Sequence, residues 1–233
     1  MLHSWLWRIT GALIALHMIV LFGGRHNWGI PEPIGRLFFL DQEYNAPTFY
    51  TSVLFVLCAF YCARLGYHVF NRKRFSSLIW FFLGFLLLFF SADEWFSLHE
   101  KLIVPLRTLF GIEQGIFYFA WTIVYIGLLI FVLLLTKSWL RALQPQFRTR
   151  LVFAACIYVT GALVLEMTGS WVYSTGGNVY SHTYANIVTL EESLELIGLT
   201  LAATLLPRYR VRRLKVIPIE KPSPSARRKR KVV

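Results

Sequence analysis

Six apolar runs of roughly 20 residues, separated by short polar connections, constrain this chain more than any other feature. A bilayer core needs about 20 apolar residues per helix. The runs lie at about 4–23, 50–69, 78–97, 114–136, 151–172 and 186–206. With 56% hydrophobic residues in 233, the chain has more apolar surface than a soluble domain of this size can bury. The expected fold is therefore all-α: an integral membrane bundle of six transmembrane helices over residues 1–215, followed by a disordered polybasic tail at 216–233. The first run is long and lacks an A-x-A-like cleavage site, so it reads as a span rather than a signal peptide.

Orientation follows from Lys and Arg near the span ends. Twenty of the 24 belong to the N-terminal end, the second and fourth connections or the tail. Only Arg25, Arg36, Lys101 and Arg107 fall in the odd connections. Both termini are expected in the cytoplasm, and the expected location is a bacterial inner (plasma) membrane. Trp5, Trp7, Trp80 and Trp139 then fall near the inner boundary, and Trp28, Trp95 and Trp171 near the outer one, as interfacial belts.

The acids are distributed in a way that orientation does not require. Eleven of the twelve fall on the outer side or in the outer part of a span; Glu220 lies in the tail. Glu166 sits inside "ALVLEMTGSWVY", and Glu195 about nine residues into the sixth run, on the order of 13 Å deep at 1.5 Å rise per residue. A carboxylate there costs about 2.5–3.5 kcal/mol on insertion scales and needs a proton, a partner, water or a cation. Glu191 and Glu195 share a helix face, and Glu192 and Glu195 are also neighbours. In "SADEWFSLHE" the third run meets Asp93, Glu94, His99 and Glu100. On one ideal helix His99 lies about 140° round from Glu94, so both reach one point only if the helix bends near Ser97. Glu100 reads as interfacial, Asp41 and Glu43 as a solvated loop after a short interfacial helix in "PIGRLFFL", and His17 as an interhelical hydrogen-bond partner.

The candidate metal ligands are Glu94, Glu166, Glu191, Glu192, Glu195, Asp93 and His99. Oxygen-rich ligation suits a divalent ion such as iron, manganese, magnesium or calcium, with zinc also open. The set resembles in part the di-iron carboxylate bundles: Glu94 and Glu166 stand as single acids and Glu192-x-x-Glu195 approximates their Glu-x-x-His, with Glu in place of His. The Asp41-x-Glu43-x-Asn45 opening of a calcium loop fails at Ala46 and Ser52, where that loop needs Gly and Glu. No His-Glu-x-x-His, Walker A or dinucleotide fingerprint occurs. Cys58, Cys62 and Cys156 lie in apolar runs without zinc spacing.

Three functional classes remain open. One is a metal-dependent membrane hydrolase or oxidoreductase acting on a lipidic or membrane-delivered substrate. The others are a non-catalytic scaffold or accessory subunit, and a cation- or proton-coupled transporter. Expected partners are membrane lipids, with anionic headgroups at the C-terminal tail, and a membrane protein or a second copy of the chain. No nucleic acid is expected, because the tail's basic cluster adjoins a membrane span.

Overall fold

A computed structural model describes residues 2–71, 73–176 and 181–209. The tail at 216–233 and its expected lipid contacts lie outside the described residues. The chain is all-α. Helix α1 (Leu2–Arg25) leads through the short α2 (Glu32–Phe38) into α3 (Ala46–Val69) and α4 (Arg74–Phe96). Helix α5 (Leu98–Phe110) precedes α6 (Trp121–Ala142). A continuous rod follows, composed of α7 (Pro145–Val159), a π-helical turn (Thr160–Leu165) and α8 (Glu166–Ser174), and α9 (His182–Leu205) completes the bundle.

Among the described residues five helices are long and apolar enough to cross a membrane: α1, α3, α4, α6 and the rod Pro145–Ser174. Helix α9 has the length of a span, 24 residues, but Glu191, Glu192 and Glu195 make it less apolar. It packs against α1, α3, α7 and α8, at the centre of the bundle. Buried Leu54, Phe55, Cys58, Leu196 and Leu199 join α3 to α9 in the main core cluster. Thr10 Oγ1 bonds both Tyr50 Oη (3.1 Å) and Thr200 Oγ1 (2.7 Å), tying α1 to α3 and α9.

Two helix contacts need glycine. A Cβ on Gly161 would lie 2.7 Å from the Glu191 carbonyl oxygen, and one on Gly198 2.6 Å from the Tyr158 nitrogen. These glycines bring the backbones of α9 and the rod together, the small-residue packing that membrane helices favour.

Two expectations need correction. The fourth run was expected at 114–136, but its helix is Trp121–Ala142. Residues 111–120 are apolar yet turn, with positive φ at Gly111 and Gly115. Trp80 and Trp139 are not belt residues. They are 1% and 4% exposed and meet edge to face at 4.9 Å, with Phe147 and Tyr209 beside Trp80. Trp5, Trp28 and Trp171 are more than half exposed, as a belt position requires. The third run ends where expected, and the bend that would bring Glu94 and His99 together is present near Ser97: the helix breaks there, with φ and ψ both 48°.

Candidate functional site: a carboxylate-lined chamber

The break at Ser97 builds the site. Ser97 is left-handed, a conformation uncommon for a residue with a Cβ, and it turns the chain from α4 into α5. The orphan amides at the start of α5 need acceptors. Asp93, one turn back in α4, supplies one: its Oδ1 accepts the His99 N–H at 2.7 Å. Its Oδ2 accepts the Tyr125 hydroxyl at 2.6 Å and lies 3.4 Å from His99 Nδ1. The turn therefore brings the His99 ring over Trp121, with centroids 4.9 Å apart, and into the bundle.

The connection from α2 to α3 enters from the other side. His17 is fully buried in α1. Its Nδ1 accepts the Leu40 N–H (3.0 Å) and its Nε2 meets Thr189 Oγ1 (2.9 Å), so the ring is neutral with its proton on Nε2. Asn45 accepts the Thr48 N–H and donates to the Phe39 and Arg36 carbonyls. These bonds tuck residues 40–45 into the mouth of the bundle. Irregular backbone survives at such a place where it lines a cavity and its polar groups are satisfied.

Between these elements lies a cavity of about 290 Å³. Nine carboxyl groups line it: Asp41, Glu43, Asp93, Glu94, Glu100, Glu166, Glu191, Glu192 and Glu195. Among the described residues no Lys or Arg does, which leaves His99 as the one basic group facing nine acids. Glu166 heads α8 directly after the π turn, a feature frequent at functional sites. Its Oε1 accepts the Trp121 indole N–H at 2.9 Å. The Glu191 carboxyl lies against that of Glu166, close enough for one to donate a hydrogen bond to the other when protonated. Glu191 is 7% exposed, and its Oε2 has no hydrogen-bond partner among the described residues.

All seven sequence-predicted ligands line this one chamber. The tightest set of donor atoms is a different one, however. Among the described residues Glu43, His99 and Glu100 offer ligand atoms all within 4.8 Å of one another, and of these only His99 was a predicted ligand. Asp41 and Glu43 are not simply a solvated loop, and Glu100 is not only interfacial. The Asp-x-Glu spacing was the signal for the first pair, but nothing local to it reveals the His17–Leu40 anchor that turns it inward. His182 remains exposed at the start of α9, and Glu32 pairs outside with Arg36 at 2.6 Å.

Electrostatics at the mouth follow from crowded acids. Asp41 keeps some solvent exposure but is ringed by protein. That desolvation, with the charges of Glu166, Glu100 and Glu43, pushes its carboxyl up to about 7. Glu43 is also raised, first by burial and then by Glu100, with His99 opposing. The Ser97 hydroxyl is close enough to favour the charged Glu43, though the two lack the alignment of a hydrogen bond. Burial disfavours the His99 imidazolium, but the Asp93 hydrogen bond and the charges of Asp93, Glu94 and Glu166 outweigh it and raise His99 to about 9. Asp93 on Nδ1 leaves Nε2 for a ligand, the arrangement in which a carboxylate orients a metal-binding histidine.

Apolar helices of spanning length around a carboxylate-lined chamber define a multi-pass integral membrane protein. Residues 6–209 match the family described as a domain of unknown function, DUF8692, and the chain belongs to that family. No curated protein and no solved structure matches it.

Proposed function

We propose that the chamber binds divalent metal and supports metal-dependent chemistry, hydrolytic or oxidative, on a lipidic or membrane-delivered substrate. One observation carries this reading: nine acids line one chamber with no Lys or Arg among the described residues, and at its wall a buried carboxylate oxygen of Glu191 has no hydrogen-bond partner among them. A buried acceptor left unmade costs about 1–3 kcal/mol, more when charged. A divalent ion supplies the missing charge. Glu43, His99 and Glu100 form a mouth subsite, and Glu94, Glu166, Glu191, Glu192 and Glu195, with Asp93 orienting His99, form the deeper wall. The oxygen-rich set suits iron, manganese, magnesium or calcium over a soft ion. A bound metal would lower the pKa of a coordinated water or polarise a substrate oxygen.

In this reading α9 is a sixth crossing whose acids face the chamber rather than lipid. Both termini are cytoplasmic in an inner (plasma) membrane, and the chamber opens on the far side. A transporter would need acids continuing inward. Beyond Glu195, α9 instead presents Leu196 and Leu199 to a tight apolar core, which favours a dead-end site. A scaffold would use the acids for ion pairs, but none reaches a Lys or Arg in the chamber among the described residues.

The test is metal content. The full chain, purified in detergent, stripped with chelator and dialysed against each divalent ion in turn, should retain at least one ion. The Glu191→Gln protein should lose about tenfold in affinity, the scale of losing one ligand or its orienting partner. Stoichiometry no higher than in a Glu43→Gln/Glu191→Gln double variant overturns the reading.

A further inference from the structure

The chamber is not wholly polar. Its lining continues into an apolar cleft formed by Leu86 and Phe90 of α4, Leu128, Leu129 and Val132 of α6, and Ala162 of the π turn. The backbone of α6 comes close to α4 and α7 at few points, and α6 meets α4 mainly through long side chains, Asp93 with Tyr125 and Phe90 with Tyr125, which leaves room between the helices. The cleft runs from Tyr125, which anchors Asp93, to Val132. Seven residues of helix make that roughly 10 Å. Farther along, Phe82 and Phe131 meet at 6.2 Å and bridge α4 to α6. Outside, α6 is apolar and exposed at Ile130, Leu133 and Leu134.

We propose that this cleft holds the hydrocarbon chain of a membrane amphiphile whose headgroup, carrying no net negative charge, sits in the carboxylate chamber. The proposal rests on the chamber being the reactive site, and it names the class of molecule that site takes. Continuity between an apolar slot and a polar chamber fits a molecule with those two parts. The charge of the chamber selects the headgroup. With a divalent ion bound, the carboxyl groups still outnumber the positive charges that the ion and His99 supply, and no Lys or Arg lines the chamber among the described residues; a headgroup that brings an ammonium finds acids to receive it, whereas a purely anionic one brings only further negative charge.

The experiment is photocrosslinking of the full chain in lipid nanodiscs. Two probes share a diazirine-bearing acyl chain and differ in headgroup, phosphocholine or phosphoglycerol. Adducts are mapped by mass spectrometry, with and without chelator. The phosphocholine probe should label cleft residues such as Leu129 and Val132 about tenfold more than the phosphoglycerol probe. Two plugged variants, Leu129→Trp and Ala162→Phe, should each lose that labelling but keep labelling at the lipid-facing Leu133 and Leu134, which reports on folding. Equal labelling by both probes, or cleft labelling that survives both plugs, overturns the proposal. Preferential labelling that persists in chelator, in a protein that retains no ion, removes the metal reading alone. Bound metal without preferential cleft labelling removes the amphiphile alone.

Discussion

Asp93 does two jobs that the sequence states as one. It is an acid near a span end, and it is also the acceptor for the His99 amide, the Tyr125 hydroxyl and the His99 ring. Asp93→Asn keeps the shape but cannot accept from all three donors. We expect a loss of about 1–3 kcal/mol of stability, read as a lowered midpoint of thermal unfolding in detergent. The His99 and Asp41 shifts give a pH signature. His99 is raised from 6.5 to about 9 in the folded protein, so its stabilisation is complete below about 6.5 and is lost as pH rises through about 9. Asp41, raised from 3.8 to about 7, likewise favours the folded state at low pH and loses that contribution as pH rises through about 7. The metal-free protein should therefore melt at a lower temperature at pH 9 than at pH 6. Added divalent ion should restore more at pH 9, where it competes less with the His99 proton than at pH 6. A metal-free midpoint that rises across this range would contradict the assignment.

At the scale of elements, the break at Ser97 and the close approach of α9 to the rod decide where the acids point. Ser97 holds a left-handed backbone despite its Cβ, so Ser97→Gly should be neutral or stabilising by up to about 1 kcal/mol, and Ser97→Ile destabilising. The glycine contacts are more exacting. Gly161→Ala and Gly198→Ala each place a methyl against backbone of the facing segment, so each should cost about 1–3 kcal/mol and weaken metal retention by displacing Glu191 and Glu195. Gly127→Ala in α6 is the contrasting case, because a Cβ there meets nothing within 4 Å. It should be neutral or raise the unfolding midpoint slightly. Equal effects from the three alanines would show that the α9–rod contact is not tight.

At the scale of the molecule, the connections alternate between a basic end and an acidic one. The expected orientation gives a direct labelling test. A cysteine at Glu113 should react with an impermeant maleimide from the outer side, and one at Lys73 only from the cytoplasm, with Cys156 replaced and the buried Cys58 and Cys62 left in place. Reaction of both from one side would reverse or break the topology. The same test applied to α9 decides the sixth crossing, since residues on either side of it must label from opposite faces.

Run length and charge made the six long helical segments legible, along with the gathering of acids and seven of the residues that line the chamber, but not α5 or the start of α6. The legible features follow from local quantities: run length against bilayer thickness, and the cost of a carboxylate in an apolar helix. The sequence also marked the turn, because helical angles alone forbid Glu94 and His99 from meeting without one. Long-range packing fixed what local pattern leaves open: the left-handed Ser97 at the turn, Trp80 against Trp139 instead of at the interface, and Asp41 and Glu43 in the lining of the chamber. The reason is the same in each case. The partner that fixes the residue is far away in the chain: Tyr125 for Asp93, Trp139 for Trp80, and His17 of α1 for the segment that carries Asp41. Periodicity can report which face of its own helix a residue occupies, but not which neighbour lies across from it.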